Sequence, residues 1–379
     1  MKVRTYNFID EKLIPISNKG ERDDLNPNLV LVFGNKDLLL NSVYAKLSKL
    51  FPNSQIAICS TAGEISNIDV YDASIIVTTL SFDKTNIQTN TENIDNFSNS
   101  YELGKNVVKN ISKEDLTYLL VLSCGSKVNG SELLEGIESE LGREILITGG
   151  LAGDGPNFKS TILSLNEEPR EGNVIIIGFY GKNLIVGHGS MGGWDVFGPE
   201  KIITKSDRNE LIEIDGKNAL DMYREYLGKY AKYLPSSALL FPISIIIENS
   251  QNTVVRTILS IDTEKNTMIF AGNVPEGSKI RFMKANFDNI IDGASLAASN
   301  SLSYHKSLKP DYALLISCVG RKLILEGRID EEIEVINEIF ENKTPMSGFY
   351  SYGELSPFNK EIKCQLHNQT MTITTFNEI

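Results

Sequence analysis

The stretch that decides the fold is Ser317-Cys318-Val319-Gly320-Arg321, together with Gly348-Phe349-Tyr350-Ser351-Tyr352-Gly353-Glu354. The apolar run at 312–316, just before the first motif, is typical of a buried strand. Between the two motifs, apolar residues recur at helical spacing from 330 to 342 and predict a helix. The unit is therefore a strand, a polar loop, a helix and a glycine-bearing loop that ends in an acid.

The same pattern occurs twice more in the chain. One copy has a strand at 118–122, then Ser123 and Cys124, a predicted helix at 130–141, and a loop that ends at Asp154. The other copy has a strand at 29–34, a helix near 37–50, and ends in Cys59-Ser60-Thr61-Ala62-Gly63-Glu64. A β-rich run follows each copy, at 74–79, 173–177 and 369–374. Because the copies are far apart and diverged, they predict duplicated α/β units and not a tightly stacked solenoid.

The composition limits the class of protein. A chain of 379 residues that is 41% apolar can bury a large core and is expected to form two domains. The net charge of −12 argues against binding to nucleic acid or to an anionic membrane surface. The N-terminus lacks the apolar core of a signal peptide, and no later run is long enough to span a bilayer. Four cysteines without C-x-x-C spacing favour a reduced, cytoplasmic protein.

The order of the predicted elements divides the chain. Residues 1–28 form a polar lead-in, 29–227 a first domain and 228–379 a second domain. Gly228 follows a predicted helix at 218–227 as a plausible C-cap and marks the boundary. The fold class that we predict is mixed α/β, with duplicated strand–loop–helix–strand units in two sub-domains with mixed sheets.

Three further segments complete this prediction. The polar residues 85–99 predict a loop or a sheet edge, and 287–302 predicts a helix. The glycine-dense segment 187–198 contains His188 and Trp194, the one tryptophan of the chain. Glycines let a backbone turn or approach closely, so we predict a loop here that wraps a ligand.

The sequence resembles the FIST family, a two-part domain of intracellular signal-transduction sensors. The motifs that carry the resemblance are 59–64, 149–154, Ile214-Asp215-Gly216, Phe241-Pro242, Val255-Arg256, Val274-Pro275-Glu276-Gly277, 317–321 and 348–354. Each motif alone is weak, but their ordered combination from residue 28 to the C-terminus is specific. The resemblance implies an N-terminal part to about Leu227, a C-terminal part after it, and sensing of a small ligand, with amino acids or related metabolites suggested.

Family members often carry a fused signalling module, and the resemblance leaves no room for one in these 379 residues. We therefore expect the output to pass to a separate signalling protein or through self-association as a homo-oligomer.

Ligands of open α/β sheets bind beyond the carboxyl ends of strands, where the repeated loops begin. If the units pack around a common centre, Glu64, Asp154 and Glu354 would converge near Arg321. Carboxylates suit an ammonium group and a guanidinium grips a carboxylate, so the set fits a zwitterion. The candidate ligand-binding residues are Cys59, Ser60, Thr61, Gly63, Glu64, Ser123, Cys124, Gly150, Asp154, His188, Trp194, Arg256, Ser317, Cys318, Arg321, Tyr350, Tyr352, Gly353 and Glu354.

Structural roles for the same residues stay open. Gly-Glu and Gly-Asp are common turn pairs, so each acid could serve only its own loop. Arg321 could form a structural ion pair with Glu331, Glu332 or Glu334 on the following helix. Cys124 and Cys318 follow strand patterns, and buried cysteines of this kind usually pack as small apolar groups.

Two other classes of function remain as alternatives. Cys59 with His188, or Cys124 with His305, could supply the thiolate and base of a hydrolase or transferase acting on a small metabolite. Known catalytic and metal-ligand spacings are missing, and Gly193, Gly198 and Pro199 argue against a dinucleotide site at 187–192. We therefore favour a sensor with no catalytic residue, metal or cofactor. A protein-interaction scaffold would instead show an exposed apolar patch and no enclosed pocket.

Overall fold

The computed structural model describes residues 1–19, 26–142, 144–234, 236–246, 253–305, 309–357 and 363–379. Its strands form four sheets. Three of these sheets contain both parallel and antiparallel strand pairs. The predicted mixed α/β fold is confirmed. The chain is described below as a first segment (2–81), a second segment (86–180) and a third segment (184–378).

The first two segments contain the following elements in chain order. The first segment contains β1 (Lys2–Ile9), β2 (Lys12–Lys19), β3 (Leu29–Gly34), α1 (Lys36–Leu39), α2 (Val43–Leu50), β4 (Gln55–Ser60), β5 (Glu64–Ser66), β6 (Asp69–Tyr71) and β7 (Ile75–Ser81). The second segment contains β8 (Asn86–Asn93), α3 (Ser100–Val107), β9 (Leu116–Ser123), α4 (Gly130–Leu141), β10 (Leu146–Leu151), β11 (Ile162–Leu165), β12 (Arg170–Glu171) and β13 (Asn173–Tyr180).

The third segment is interrupted by an insertion. It begins with β14 (Leu184–Met191), and the insertion contains β15 (Asp195–Asp207), β16 (Glu210–Ile214), β17 (Lys217–Asn218), α5 (Ala219–Leu227), β18 (Ile243–Ile246), β19 (Thr253–Arg256), β20 (Ile258–Asp262), β21 (Thr267–Phe270) and β22 (Lys279–Lys284). The segment resumes with α6 (Phe287–Leu302), β23 (Tyr312–Cys318), α7 (Val319–Leu325), α8 (Ile329–Ile339), β24 (Met346–Ser351), β25 (Gly353–Ser356), β26 (Gln365–His367) and β27 (Met371–Glu378). Short 3₁₀ helices lie at Ile94–Asn96, Gly228–Tyr233, Ser236–Leu240 and Glu326–Arg328.

Three of the sheets share one strand arrangement. In each, a strand pairs in parallel with the next strand of the same segment and antiparallel with the segment's last strand. These triplets are β4-β3-β7, β10-β9-β13 and β24-β23-β27. An outer strand then pairs with each last strand, and these outer strands are β1, β8 and β14.

The segments are joined by exchanged hairpins. The β5–β6 hairpin of the first segment pairs with β24 of the third. The β25–β26 hairpin of the third pairs with β10 of the second, and β11–β12 of the second pairs with β4 of the first. Each segment therefore adds strands to the sheet of another, and the three exchanges close a ring. We call these three sheets the ring.

The insertion forms the fourth sheet, with the order β19-β18-β22-β15-β16-β21-β20. We call it the inserted sheet. The main core of the ring contains buried residues from Val3 to Phe376, whereas the core of the inserted sheet contains residues from Ile203 to Phe282. The division at 227/228 stays a prediction, and strands of the inserted sheet lie on both sides of it.

Some local predictions were wrong. The glycine-dense segment was predicted as a loop, but Leu184–Met191 is a strand. A Cβ on Gly187 or Gly189 would collide with carbonyl oxygens of α6, at Ser301 and Ala297. The glycines at 187 and 189 therefore let a helix lie directly on the strand, which is a packing role.

Other differences arise from burial. The lead-in contains β1 and β2, whose presence was not predicted, because residues 3–6 are all buried and show no alternation. The predicted loop at 319–321 belongs to α7, a helix too short for a clear period. The helix near 37–50 is two helices, because Ser42 adopts the left-handed region between them. The helices predicted at 130–141 and 287–302 have these bounds in the structure.

No helix among the described residues is both long enough and apolar enough to cross a membrane.

Candidate functional site

The loops that follow β4, β10 and β24 contact one another in turn. The Gly153 amide donates to the Ser60 carbonyl at 2.9 Å, and the Ala62 amide donates to the Tyr350 carbonyl at 2.8 Å. The Tyr352 amide donates to the Leu151 carbonyl at 3.0 Å. The sequence candidates on these loops therefore come together where the three sheets of the ring meet. All the candidates are buried except Trp194, which is partly exposed.

Glu64 and Glu354 each accept hydrogen bonds from two residues, and these residues lie at equivalent positions in the two segments. Thr61 Oγ1 donates to Glu64 at 2.5 Å, and Ser74 donates through its amide at 3.1 Å and its hydroxyl at 2.7 Å. In both cases the acid joins the residue three positions before it to the residue that precedes the segment's last strand. We call Thr61, Glu64 and Ser74 the first bracket.

Ser351, Glu354 and Thr370 form the second bracket. Ser351 Oγ donates to Glu354 at 2.7 Å, while the Thr370 amide and hydroxyl donate at 3.1 and 2.9 Å. Burial raises the pKa of Glu354 to about 8, although these donors and the charge of Arg321 act in the opposite direction. Burial also raises the pKa of Glu64, against the donors of its own bracket and the charge of Lys322. Each carboxyl group thus closes an irregular loop.

Asp154 has different partners. The Tyr352 hydroxyl donates to its carboxylate, as do the amides of Lys159 at 3.1 Å and Ser160 at 3.0 Å. Phe158 stacks on the Tyr352 ring with centroids 4.4 Å apart. Asp154 therefore shapes the loop at 154–160, and these hydrogen-bond partners belong to neither bracket.

Arg321 is fully buried and contacts protein groups. Its Nε donates to Glu332 at 2.6 Å, and its Nη atoms donate to the carbonyls of Gly192 and, at 2.7 Å, Ile290. Ser317 and Tyr350 also donate to Glu332, at 3.3 and 3.0 Å. Three candidates thus converge on one carboxylate, as in the structural ion pair that the sequence analysis gave as an alternative.

The cysteines lie in closely packed surroundings. Burial raises the pKa of the Cys59 and Cys318 thiols, which disfavours their thiolates. Cys124 Sγ lies 3.2 Å from Thr161 Oγ1 and 3.3 Å from Ser126 Oγ.

The candidate histidines contact side chains of the third segment. His188 Nε2 lies 2.7 Å from the Tyr304 hydroxyl, and His305 Nε2 lies 2.7 Å from Thr375 Oγ1. Both imidazole rings therefore connect β14, β27 and the end of α6. These elements belong to one sheet and to the helix that covers it.

The remaining candidates link the ring to other elements. Arg256 of β19 is buried and donates to the Leu366 carbonyl in β26 at 2.7 Å, so it ties the inserted sheet to the ring. Burial lowers the pKa of its guanidinium to about 10. Ser60 Oγ accepts from the Ile162 amide at 3.0 Å, which fixes the start of β11. Gly63, Ser123, Gly150 and Gly353 lie at the ends of β4, β9, β10 and β24 or in the strands that follow.

A cleft that sequence reasoning missed lies between the ring and the inserted sheet. Its volume is about 440 Å³. Ring residues that line it are Phe97, Asn99, Ser126, Lys127, Asn129 and Glu132, and residues of the insertion are Arg208, Asn209, Leu259 and Phe270. The loop 125–129 continues directly from the predicted Ser123-Cys124 motif, at the carboxyl end of β9. The strand-end rule could therefore have reached it, whereas Arg208 is brought there only by the fold.

The charges of this cleft are incompletely neutralised. Arg208 Nε lies 3.9 Å from Glu132, and the Arg208 side chain is 70% exposed. Lys127 lies 3.4 Å from Asp95 and 3.8 Å from Glu171. Long, solvated ion pairs of this kind contribute little to stability, so these side chains can turn to a ligand at small cost.

A second feature that was missed is the turn Asn368–Gln369, between β26 and the second bracket. Both residues are fully buried, and Gln369 adopts φ 65°. The Gln369 carbonyl accepts from Trp194 Nε1 at 2.8 Å. No periodicity or motif in the sequence marks this turn.

Two family models match the sequence. The FIST N domain model matches residues 28–217, and the FIST C domain model matches residues 219–357. No curated protein matches the chain significantly. FIST domains are associated with sensing in signal transduction.

Proposed function

Because this chain belongs to the FIST family, we propose that it is a small-ligand sensor in signal transduction without catalytic activity of its own. The ligand is an amino acid or a related metabolite. The burial that disfavours the Cys59 and Cys318 thiolates supports the non-catalytic part of this proposal, since a thiol is a poor nucleophile.

The cleft between the ring and the inserted sheet carries the proposal. Its volume of about 440 Å³ lies in the usual range for small-molecule sites. Arg208 and Lys127 suit a carboxylate, Glu132 suits an ammonium group, and Phe97 and Leu259 offer apolar surface to a side chain. Both charges and the apolar part of an amino acid therefore have a matching group.

The position of the cleft supports a sensing role. Its walls belong to two different cores, which are joined by contacts such as Asn129 Nδ2 to Asn273 Oδ1 at 2.9 Å. A ligand that bridges the walls would favour one arrangement of the inserted sheet over others. We propose that this change is read by a separate signalling protein or by self-association.

Isothermal calorimetry with the full chain and a panel of free amino acids tests this proposal. We expect Arg208→Ala and Glu132→Gln each to weaken the binding of a hit by about tenfold, because each removes a charge-assisted contact. Arg170→Ala is the matched control, since Arg170 is 60% exposed, pairs with Glu167 and does not line the cleft. A hit that binds both cleft variants as tightly as the control would contradict the proposed site.

A further inference from the structure

The turns before β7 and β27 share a backbone conformation but carry different side chains. Each places one residue in the left-handed region directly before the bracket donor: Ala73 at φ 54° before Ser74, and Gln369 at φ 65° before Thr370. This conformation is unfavourable for any residue with a Cβ. Since the first bracket forms with only a methyl group at this position, the bracket itself does not require a carboxamide there.

The carboxamides of the second turn are buried without full pairing. Asn368 and Gln369 each have 0% exposed surface. Among the described residues, neither Asn368 Oδ1 nor Gln369 Oε1 has a hydrogen-bond partner. Buried polar atoms are almost always paired, because an unpaired one loses its hydration without compensation. Two such oxygens at a strained turn oppose folding. Unpaired buried polar atoms and strained backbone are found most often at functional sites.

Two donor side chains beside the turn are already paired. Trp194 and Arg321 already donate to main-chain carbonyls. Asn368 Nδ2 lies 3.4 Å from the Tyr352 carbonyl, and Gln369 Nε2 lies 3.5 Å from the Leu239 carbonyl. Reversing either carboxamide would place its oxygen against a carbonyl oxygen, so the amide orientation does not remove the deficit. Within the part of the chain that the structure describes, the two carboxamide oxygens are therefore without a hydrogen-bond donor.

The turn lies where the ring meets the inserted sheet. The long contact to Leu239 connects it to the 3₁₀ helix Ser236–Leu240, which leads into β18. Trp194 and Leu239 are partly exposed, so the buried carboxamide lies close to the surface. A Cβ on Gly320 would collide with the Gln369 carboxamide, so this glycine makes room for it.

We propose that the Asn368–Gln369 turn is a second binding site, where a protonated amine of a small ligand donates to both carboxamide oxygens between the ring and the inserted sheet. An ammonium group supplies several N–H donors and has no acceptor, which matches the deficit. The net charge of −12 also favours a cation. This site goes beyond the cleft, because neither residue of the turn lines the cleft.

The experiment uses the full chain and leucine methyl ester, which keeps the ammonium group and lacks the carboxylate. N-acetyl-leucine is the opposite probe, and the N,N,N-trimethyl derivative of the ester keeps the charge but has no N–H. Thermal shift and calorimetry are measured for each. We expect the ester to bind, and we expect both other probes to bind at least tenfold more weakly, because the trimethyl derivative has no N–H and N-acetyl-leucine has one neutral amide N–H in place of the ammonium group.

Gln369→Met and Asn368→Leu keep the side-chain size and remove the oxygen. We expect each to weaken binding of the ester by about tenfold, while the melting temperature without ligand stays the same or rises, because an unpaired buried atom is lost. Gln365→Met, the same change on β26, is the control and should leave binding of the ester unchanged. Gln369→Gly relieves the left-handed strain but leaves a cavity where the buried side chain was, so Gln369→Met is the variant that isolates the role of the carboxamide.

The outcomes separate the two proposals. The second site is overturned if the ester does not bind, if the trimethyl derivative binds equally well, or if both turn variants bind the ester normally. It is also overturned if Gln369→Met lowers the melting temperature, since the carboxamide is then structural. If free amino acids still bind and lose affinity in Arg208→Ala, the cleft proposal stands in each of these cases.

Discussion

The first and second brackets place the same chemistry in two different surroundings. Glu64 and Glu354 each accept hydrogen bonds from a hydroxyl three residues earlier and from the residue before the next long strand. Around the first bracket the neighbouring positions Asp72 and Ala73 are exposed, whereas Asn368 and Gln369 are fully buried. The same local structure is thus a surface turn in one segment and part of an interface in the other.

Helices α1 and α7, which follow the corresponding strands β3 and β23, differ in the same way. Gly34 pairs with Ser60 in the first segment, and Ser317 pairs with Tyr350 at the equivalent place in the third. Four residues further along the chain, Leu38 therefore corresponds to Arg321. Leu38 is 36% exposed and Arg321 is fully buried with Glu332. The difference teaches that the groups packed against α7, which include carbonyls of α6 and of Gly192, bury the polar side chain at this position, whereas the repeated unit alone leaves it exposed.

The largest expected effect is the loss of Arg321. We expect Arg321→Met to lower the free energy of unfolding by about 3–5 kcal/mol, because it leaves Glu332 buried without its partner. Leu38→Ala, at the corresponding exposed position, should cost about 1 kcal/mol or less. Urea denaturation measures both. Equal losses in the two variants would break the comparison, and Glu332→Gln should restore part of the stability of Arg321→Met.

Removal of the bracket acids should have the next largest effect. We expect Glu354→Ala to cost about 2–3 kcal/mol and Glu64→Ala about 1–2 kcal/mol, because the donors left unpaired are more deeply buried in the second bracket. The comparison is made by chemical denaturation at one pH. A larger loss for Glu64→Ala would show that the depth of burial does not decide the strength of a bracket.

The pH dependence of stability sharpens the comparison further. The pKa of Glu354 is raised from 4.5 to about 8, so the folded protein keeps a proton that the unfolded chain loses over this range. The free energy of unfolding should therefore fall as the pH rises from 4.5 to 8. We expect Glu354→Gln to flatten this slope, and Glu64→Gln to flatten it less. An unchanged slope in Glu354→Gln would mean that its carboxyl is ionised in the folded protein.

The smallest effect is expected at the exposed turn. Ala73→Gly removes the strain of a left-handed alanine but adds freedom to the unfolded chain, so we expect a gain of about 0–1 kcal/mol. Thermal unfolding of this variant, beside Gln369→Gly, compares the two turns directly. A loss of stability at residue 73 would contradict the view that strain alone distinguishes this position.

The sequence by itself determined the fold class, the family and several helices. The helices at 130–141 and 287–302 were predicted with their observed bounds because their apolar faces recur at helical spacing over enough residues. The strand-end loops that carry Glu64, Asp154 and Glu354 were also located, since glycine and an acid after an apolar run mark such loops. These signals are local, and each can be read without knowing what packs against it.

Only the tertiary structure decided which of these residues face one another. It brought Arg321, Ser317 and Tyr350 to Glu332, exchanged three hairpins between sheets, and placed Arg208 across a cleft from Lys127. It also buried Asn368 and Gln369, and it placed Gln369 beside Leu239 of the insertion. The physical reason is that burial and long-range pairing depend on segments hundreds of residues apart, whereas periodicity and turn chemistry act within a few residues.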